Sequence, residues 1–161
     1  MRRQRGFTLI ELILVIVMLA ILSAFALPRF ANLGRDARIA SVQGAAASIR
    51  SASAIAHATY LTGVAPSGFV AMESTVVSLV GGYPVAHVPT PPFPSLVGIA
   101  PAAGISTDSY QIDPLPAASN NGVVTIRPQG VGATANCYVR YTQANTTGSV
   151  APSITLQTGG C

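Results

Sequence analysis

The chain has 161 residues, enough for one domain of ordinary size, and half of them are hydrophobic while only 9% are charged, against about a quarter in typical soluble domains. There is no lysine, and three of the nine arginines are Arg2, Arg3 and Arg5, so beyond residue 6 the balance is six basic against five acidic, or +1. That excludes a nucleic-acid footprint built on many released counterions, and the apolar excess calls for a membrane or a burying partner.

The first element is short and basic, MRRQRG at Met1–Gly6, and it is followed by FTLIELILVIVMLAILSAFA from Phe7 to Ala26, whose only charge is Glu11. As a helix this stretch spans roughly 30 Å, the core of a bilayer, with the arginines held on the cytoplasmic side. An ordinary secretory signal with a small-x-small cut at Ala24-Phe25-Ala26 is one reading. A retained helix behind a short leader is the other. Three features favour it: the run exceeds a usual signal core, a carboxylate sits inside it, and the helical pattern continues past Pro28. Glu11 either reaches water at the cytoplasmic interface or meets a cation, because a carboxylate deep in a bilayer is penalised. If the leader ends at Gly6, the new amine of Phe7, on the same or a neighbouring copy, is that cation, and the pair would set the axial register between helices.

The string GFTLIEL at Gly6–Leu12 resembles the class III signal of type IV pilins and type II secretion pseudopilins. The resemblance implies cleavage between Gly6 and Phe7 by a membrane prepilin peptidase, N-methylation of Phe7, and neutralisation of an adjacent subunit's amine by Glu11 during assembly. Three further segments, PRFANLGRDAR at Pro28–Arg38, GGYP at Gly81–Pro84 and NCYVRYT at Asn136–Thr142 with a late cysteine, are similar to the mannose-sensitive haemagglutinin type of pilin. Ala20 stands where many members have glycine, which leaves Pro28 alone to weaken the helix.

Past Pro28, which is expected to kink the helix, Ile39, Val42, Ala46, Ile49, Ala56 and Tyr60 recur at steps of three and four, with Ser53 in the gap; this is an amphipathic helical period. Asp36, Gln43, Arg50 and His57 form a polar stripe beside it, either a solvated flank or a surface meeting neighbouring subunits. Small residues such as Ser41, Gly44, Ala45, Ser48 and Ala52 fill much of the remaining circumference. Gly63 and Pro66 end the helix. From Phe7 to about Thr62 it would be roughly 80 Å long, more than one globular core covers, so its apolar half belongs in a membrane or among copies of itself.

In the second half, Thr75–Val80 reads as a strand, the five prolines of Pro84–Pro94 as a surface loop, and Val97–Ile112 is ambiguous. Val123–Arg127 reads as a strand stopped by Pro128 and a Gln129-Gly130 turn. Cys137–Tyr141 alternates, with Cys137, Val139 and Tyr141 on one face, and after a turn at Asn145–Gly148 a last strand covers Ile154–Leu156. Cys137 and Cys161, the only cysteines, read as one disulfide in an exported chain, closing a loop of about 25 residues worth roughly 3–4 kcal/mol. The fold class is therefore α+β: a long N-terminal helix packed on a small antiparallel sheet. The divisions are a leader (1–6), a membrane and filament-core helix (7–27), an amphipathic continuation (28–62) and a β-rich head (63–161).

No catalytic constellation, metal cluster or cofactor motif stands out. His57 and His87 lack ligand neighbours at useful spacing, Asp108 and Asp113 could supply calcium oxygens in a loop but are two carboxylates where calcium takes about six or more oxygens, and Asn145-Thr146-Thr147 is a weak glycosylation acceptor. The reading is a non-enzymatic structural subunit of an extracellular type IV pilus serving surface attachment. Its partners are other pilin subunits, the prepilin peptidase and the assembly machinery. It sits first in the inner membrane with a cytoplasmic N-terminus, then in the filament. The rivals are a pseudopilin of a type II secretion system, an exported domain released after Ala26, and a DNA-uptake pilin using Arg29, Arg35, Arg38, Arg50, Arg127 and Arg140.

Overall fold

The computed structural model describes residues 6–63, 68–72, 75–86, 96–115, 122–145 and 151–161. Helix α1 runs from Leu9 to Leu61, 53 residues. Leucine, isoleucine, valine and alanine carry it, and Pro28 lies within it without ending it. Nearby, the Ser23 hydroxyl donates to the Leu19 carbonyl at 2.7 Å, a bond back along the helix that often accompanies a bend. The far end closes at Gly63, whose φ of 74° lies in the left-handed region and whose N–H bonds the Tyr60 carbonyl, a glycine stop.

The chain forms two compact units, Met1–Ala37 and Arg38–Cys161. In the first, every large apolar side chain from Phe7 to Leu33 that the structure describes is exposed, including Phe25, Leu27 and Phe30. In the second, the α1 residues Val42, Ala45, Ala46, Ile49, Ala52, Ser53 and Ala56 are buried, three per seven along one face. The face is wider than the periodicity indicated, because Ala45 and Ala52 join it while Tyr60 leaves it at 41% exposure. Asp36, Gln43 and Arg50 are exposed, but His57 is half-buried and stacks on Tyr83 with ring centroids 4.0 Å apart.

Among the described residues, two four-stranded sheets replace the single sheet expected. The first comprises β1 (Phe69–Met72), β2 (Thr75–Val80), β3 (Tyr83–Pro84) and β4 (Leu96–Val97); β2 pairs antiparallel with β1 and β3 and parallel with β4. Gly81 and Gly82, with φ of 58° and 80°, make the two-residue turn between β2 and β3, and positive φ at both positions is what such hairpins require. A short helix α2 (Ile99–Ala102) follows. The second sheet is an antiparallel meander of β5 (Tyr110–Leu115), β6 (Val123–Pro128), β7 (Tyr138–Thr142) and β8 (Ser153–Gln157). Its register aligns Ile112, Ile126, Val139 and Leu156 in one row, and those side chains belong to the core with Ile49, Ile99 and Tyr141.

Pro84 is not in a surface loop. It lies in β3, fully buried, on an edge strand where a missing N–H is tolerated. The remainder of that proline run, residues 87–95, lies outside the described residues, as do His87, Pro66, residues 1–5 and most of the expected turn at 145–148. Pro128, expected to stop β6, instead completes it opposite Tyr110. The previously ambiguous stretch resolves into β4, α2 and β5, and β5 again tolerates Pro114 because it is an edge strand.

Candidate functional site

The sequence points first to the start of α1. Gly6, Phe7 and Thr8 precede the helix in an exposed, non-helical segment. Thr8 and Glu11 interlock: the Thr8 N–H and hydroxyl both donate to Glu11 Oε2, at 3.1 and 2.8 Å, and the Glu11 N–H reaches Thr8 Oγ1 at 3.4 Å. This is a capping box, in which two otherwise unpaired donors at a helix start are satisfied by reciprocal side chains. Thr8 is the residue the sequence reading passed over, although Thr-x-x-Glu ahead of an apolar run is its signal. Glu11 therefore does local work in a single chain. Phe7, Ile10, Glu11, Leu14 and Val15 border an open hollow of about 270 Å³.

The second set of residues lies in the head. Cys137 and Cys161 form a disulfide, with Cys137 fully buried in the core. Around it, the Gly160 N–H bonds the Asn136 carbonyl at 3.0 Å, and a Cβ on Gly160 would sit 2.6 Å from the Asn136 nitrogen, so only glycine allows that approach. Arg38 Nη1 donates to the Cys161 carbonyl at 3.0 Å, and the Tyr110 hydroxyl and Ser41 bond each other at 2.9 Å. The bridge thus ties Cys161 to the start of β7, while Arg38 and Ser41 tie α1 to that residue and to β5. The buried Tyr141 hydroxyl donates to the Pro84 carbonyl at 2.6 Å. Burial pushes the Tyr141 hydroxyl well above its ordinary pKa, a shift that a hydrogen bond with Ser53 only partly offsets.

Among the described residues no group of three His, Cys, Asp or Glu side chains gathers to hold a metal. Asp113 pairs with Arg127, so it is not free for a cation, and His57 Nδ1 lies 3.2 Å from the Gly82 carbonyl. Of the arginines considered for nucleic acid, Arg127 is nine-tenths buried and held by Asp113 and the Ala133 carbonyl, Arg38 is held by Cys161, and Arg29, Arg35, Arg50 and Arg140 are exposed.

α1 is long and apolar enough to cross a membrane, and none of its most apolar stretch is buried. A long N-terminal helix of that kind followed by antiparallel sheet defines a pilin-like α+β architecture. The family model described as the prokaryotic N-terminal methylation motif matches residues 1–27. A type IV narrow pilus major component from Thermus thermophilus is 56% identical over 54 residues, which cover 34% of this chain and 47% of that protein. The match thus spans about half the length of that relative. No solved structure matches the chain.

Proposed function

We propose that the chain is a structural subunit of a type IV pilus, cut between Gly6 and Phe7, methylated on the Phe7 amine and polymerised through α1. The observation that carries this reading is the coupling of the methylation motif at residues 1–27 to a helix whose apolar half finds no cover in its own fold. Before assembly the inner membrane would cover that half. Afterwards equally apolar helices of neighbouring copies would, so the transfer from lipid to filament leaves the burial of apolar surface nearly unchanged. Glu11 is the one charge in the apolar run, and a neighbour's Phe7 amine is its partner in this scheme. The head would face outward and serve surface attachment, in the manner of the mannose-sensitive haemagglutinin type that Pro28–Arg38, Gly81–Pro84 and Asn136–Thr142 resemble. Similarity to a pilus component of Thermus favours a pilin over a secretion pseudopilin.

The test is intact-mass and N-terminal analysis of the protein from envelopes and from sheared filaments. A chain beginning at methylated Phe7 and present in filaments supports the proposal. A chain beginning at Leu27 means that the helix is discarded, and the filament reading falls.

A further inference from the structure

Among the described residues, the face of the second sheet turned from the core carries two arginines, Arg127 and Arg140, and one carboxylate, Asp113. The register pairs Asp113 with Thr125, Thr125 with Arg140, and Arg140 with Thr155. Directly opposed residues share a face, so these four form one cross-strand row, and Tyr138 with Gln157 lies in the next. Neighbouring strands are about 4.8 Å apart, so Thr125, Arg140 and Thr155 span roughly 10 Å.

The two arginines of this face differ. Arg127 is buried and committed to Asp113 and the Ala133 carbonyl, which also uses up the carboxylate of the face. Arg140 is exposed, as are Thr155 and Gln157. Its guanidinium carbon lies 5.1 Å from the centroid of the Tyr138 ring, and among the described residues no carboxylate pairs with it. Packing over a tyrosine ring limits the rotamers of a long side chain, and the donor fork of a guanidinium matches a carboxylate bidentately.

We propose that this face binds an acidic polysaccharide, with Arg140 taking a sugar carboxylate and Thr155 and Gln157 bonding the hydroxyls beside it. Hydroxyl and amide groups both donate and accept, as sugar hydroxyls do, and they make up the exposed neighbours of Arg140. Among the described residues of this face, one unpaired cation beside neutral polar groups, with Asp113 held by Arg127, suits a polymer whose charges alternate with hydroxyls. It does not suit DNA, whose affinity comes from several neutralised phosphates. The site uses the head alone and stands whether or not the chain polymerises. On the pilus reading it names the ligand class for surface attachment.

The experiment takes the full chain in detergent micelles and measures retention on polygalacturonate, on neutral dextran and on double-stranded DNA. The expected result is binding to polygalacturonate that weakens with salt, none to dextran, and weaker binding to DNA. Arg140→Gln should lower polygalacturonate affinity roughly tenfold through loss of the charge-assisted pair. Gln157→Ala should lower it less, and Arg50→Gln, on the exposed side of α1, should leave it unchanged. Near-ultraviolet circular dichroism of each variant checks that the sheet is intact. Failure of the unmodified chain to bind polygalacturonate, full binding by Arg140→Gln, an equal loss in Arg50→Gln, or tighter binding to DNA would each overturn the proposal. Filaments built from methylated chains that ignore polygalacturonate would overturn this site and leave the pilus reading standing.

Discussion

Gly82 holds φ at 80°, and a Cβ there would meet Tyr60 Cδ1 at 2.5 Å and His57 Nδ1 at 3.0 Å. Gly82→Ala therefore carries both left-handed strain and a collision with the aromatic cluster, and should cost about 1–3 kcal/mol in chemical denaturation. An unchanged midpoint would mean that the turn adjusts freely. Tyr141 makes a different demand. Its hydroxyl is the partner of the buried Pro84 carbonyl, so Tyr141→Phe should cost about 1–3 kcal/mol by leaving that oxygen unsatisfied. Burial raises the pKa of Tyr141 in the folded state, so on raising the pH the unfolded chain loses its proton first. The contribution is complete below about pH 10, the ordinary tyrosine value, and declines as pH rises above it. Stability measured across that range should fall in the parent chain and fall less in Tyr141→Phe. Equal slopes would place the alkaline loss elsewhere.

At the scale of elements, the disulfide and the helix face make separate contributions. The bridge spans 24 positions, and replacing both cysteines by alanine should lower stability by about 3–4 kcal/mol on the chain-entropy argument; a loss under about 1 kcal/mol would mean that Arg38 and the Gly160–Asn136 bond already fix the tail. Ile49, fully buried at the centre of the α1 face, should cost about 2–5 kcal/mol as alanine. These two features were legible in the sequence, as were β2 and the middle of β6, β7 and β8, where β-branched and alternating residues announce a half-buried strand. What stayed hidden has physical reasons. β1 is four residues without alternation, and β5 carries Asp113 and Pro114, poor strand formers that an edge position accepts. The hairpin at Gly81-Gly82 had its signal in the glycine pair, yet only pairing with Pro84 shows that a proline run begins with a strand. The division into two sheets depends on register between distant segments, which local patterns do not carry. His57 matched the polar stripe by spacing, but Tyr83 claims it through a contact no helical period contains.

For the whole molecule, the open question is what Glu11 is for, since two roles compete for one carboxylate. In the single chain it caps its own helix through Thr8; in the proposed filament it neutralises a neighbour's amine. The two roles separate by charge. Glu11→Gln keeps a carbonyl oxygen that accepts from Thr8, so a capping role alone predicts normal filaments, whereas an ion-pair role predicts their loss. Insertion should survive in either case, because removing a charge from an apolar run lowers the cost of burying it in lipid. The expected outcome is that Glu11→Gln accumulates in the membrane, is processed at Phe7, and yields less than a tenth of the parent's sheared filament, a deficit of more than about 1.4 kcal/mol per incorporated subunit if yield tracks the incorporation equilibrium. Normal filament yield from a processed Glu11→Gln chain would reduce Glu11 to a helix cap. Assembly would then rest on apolar contact among α1 helices, and the axial register would have to come from the heads.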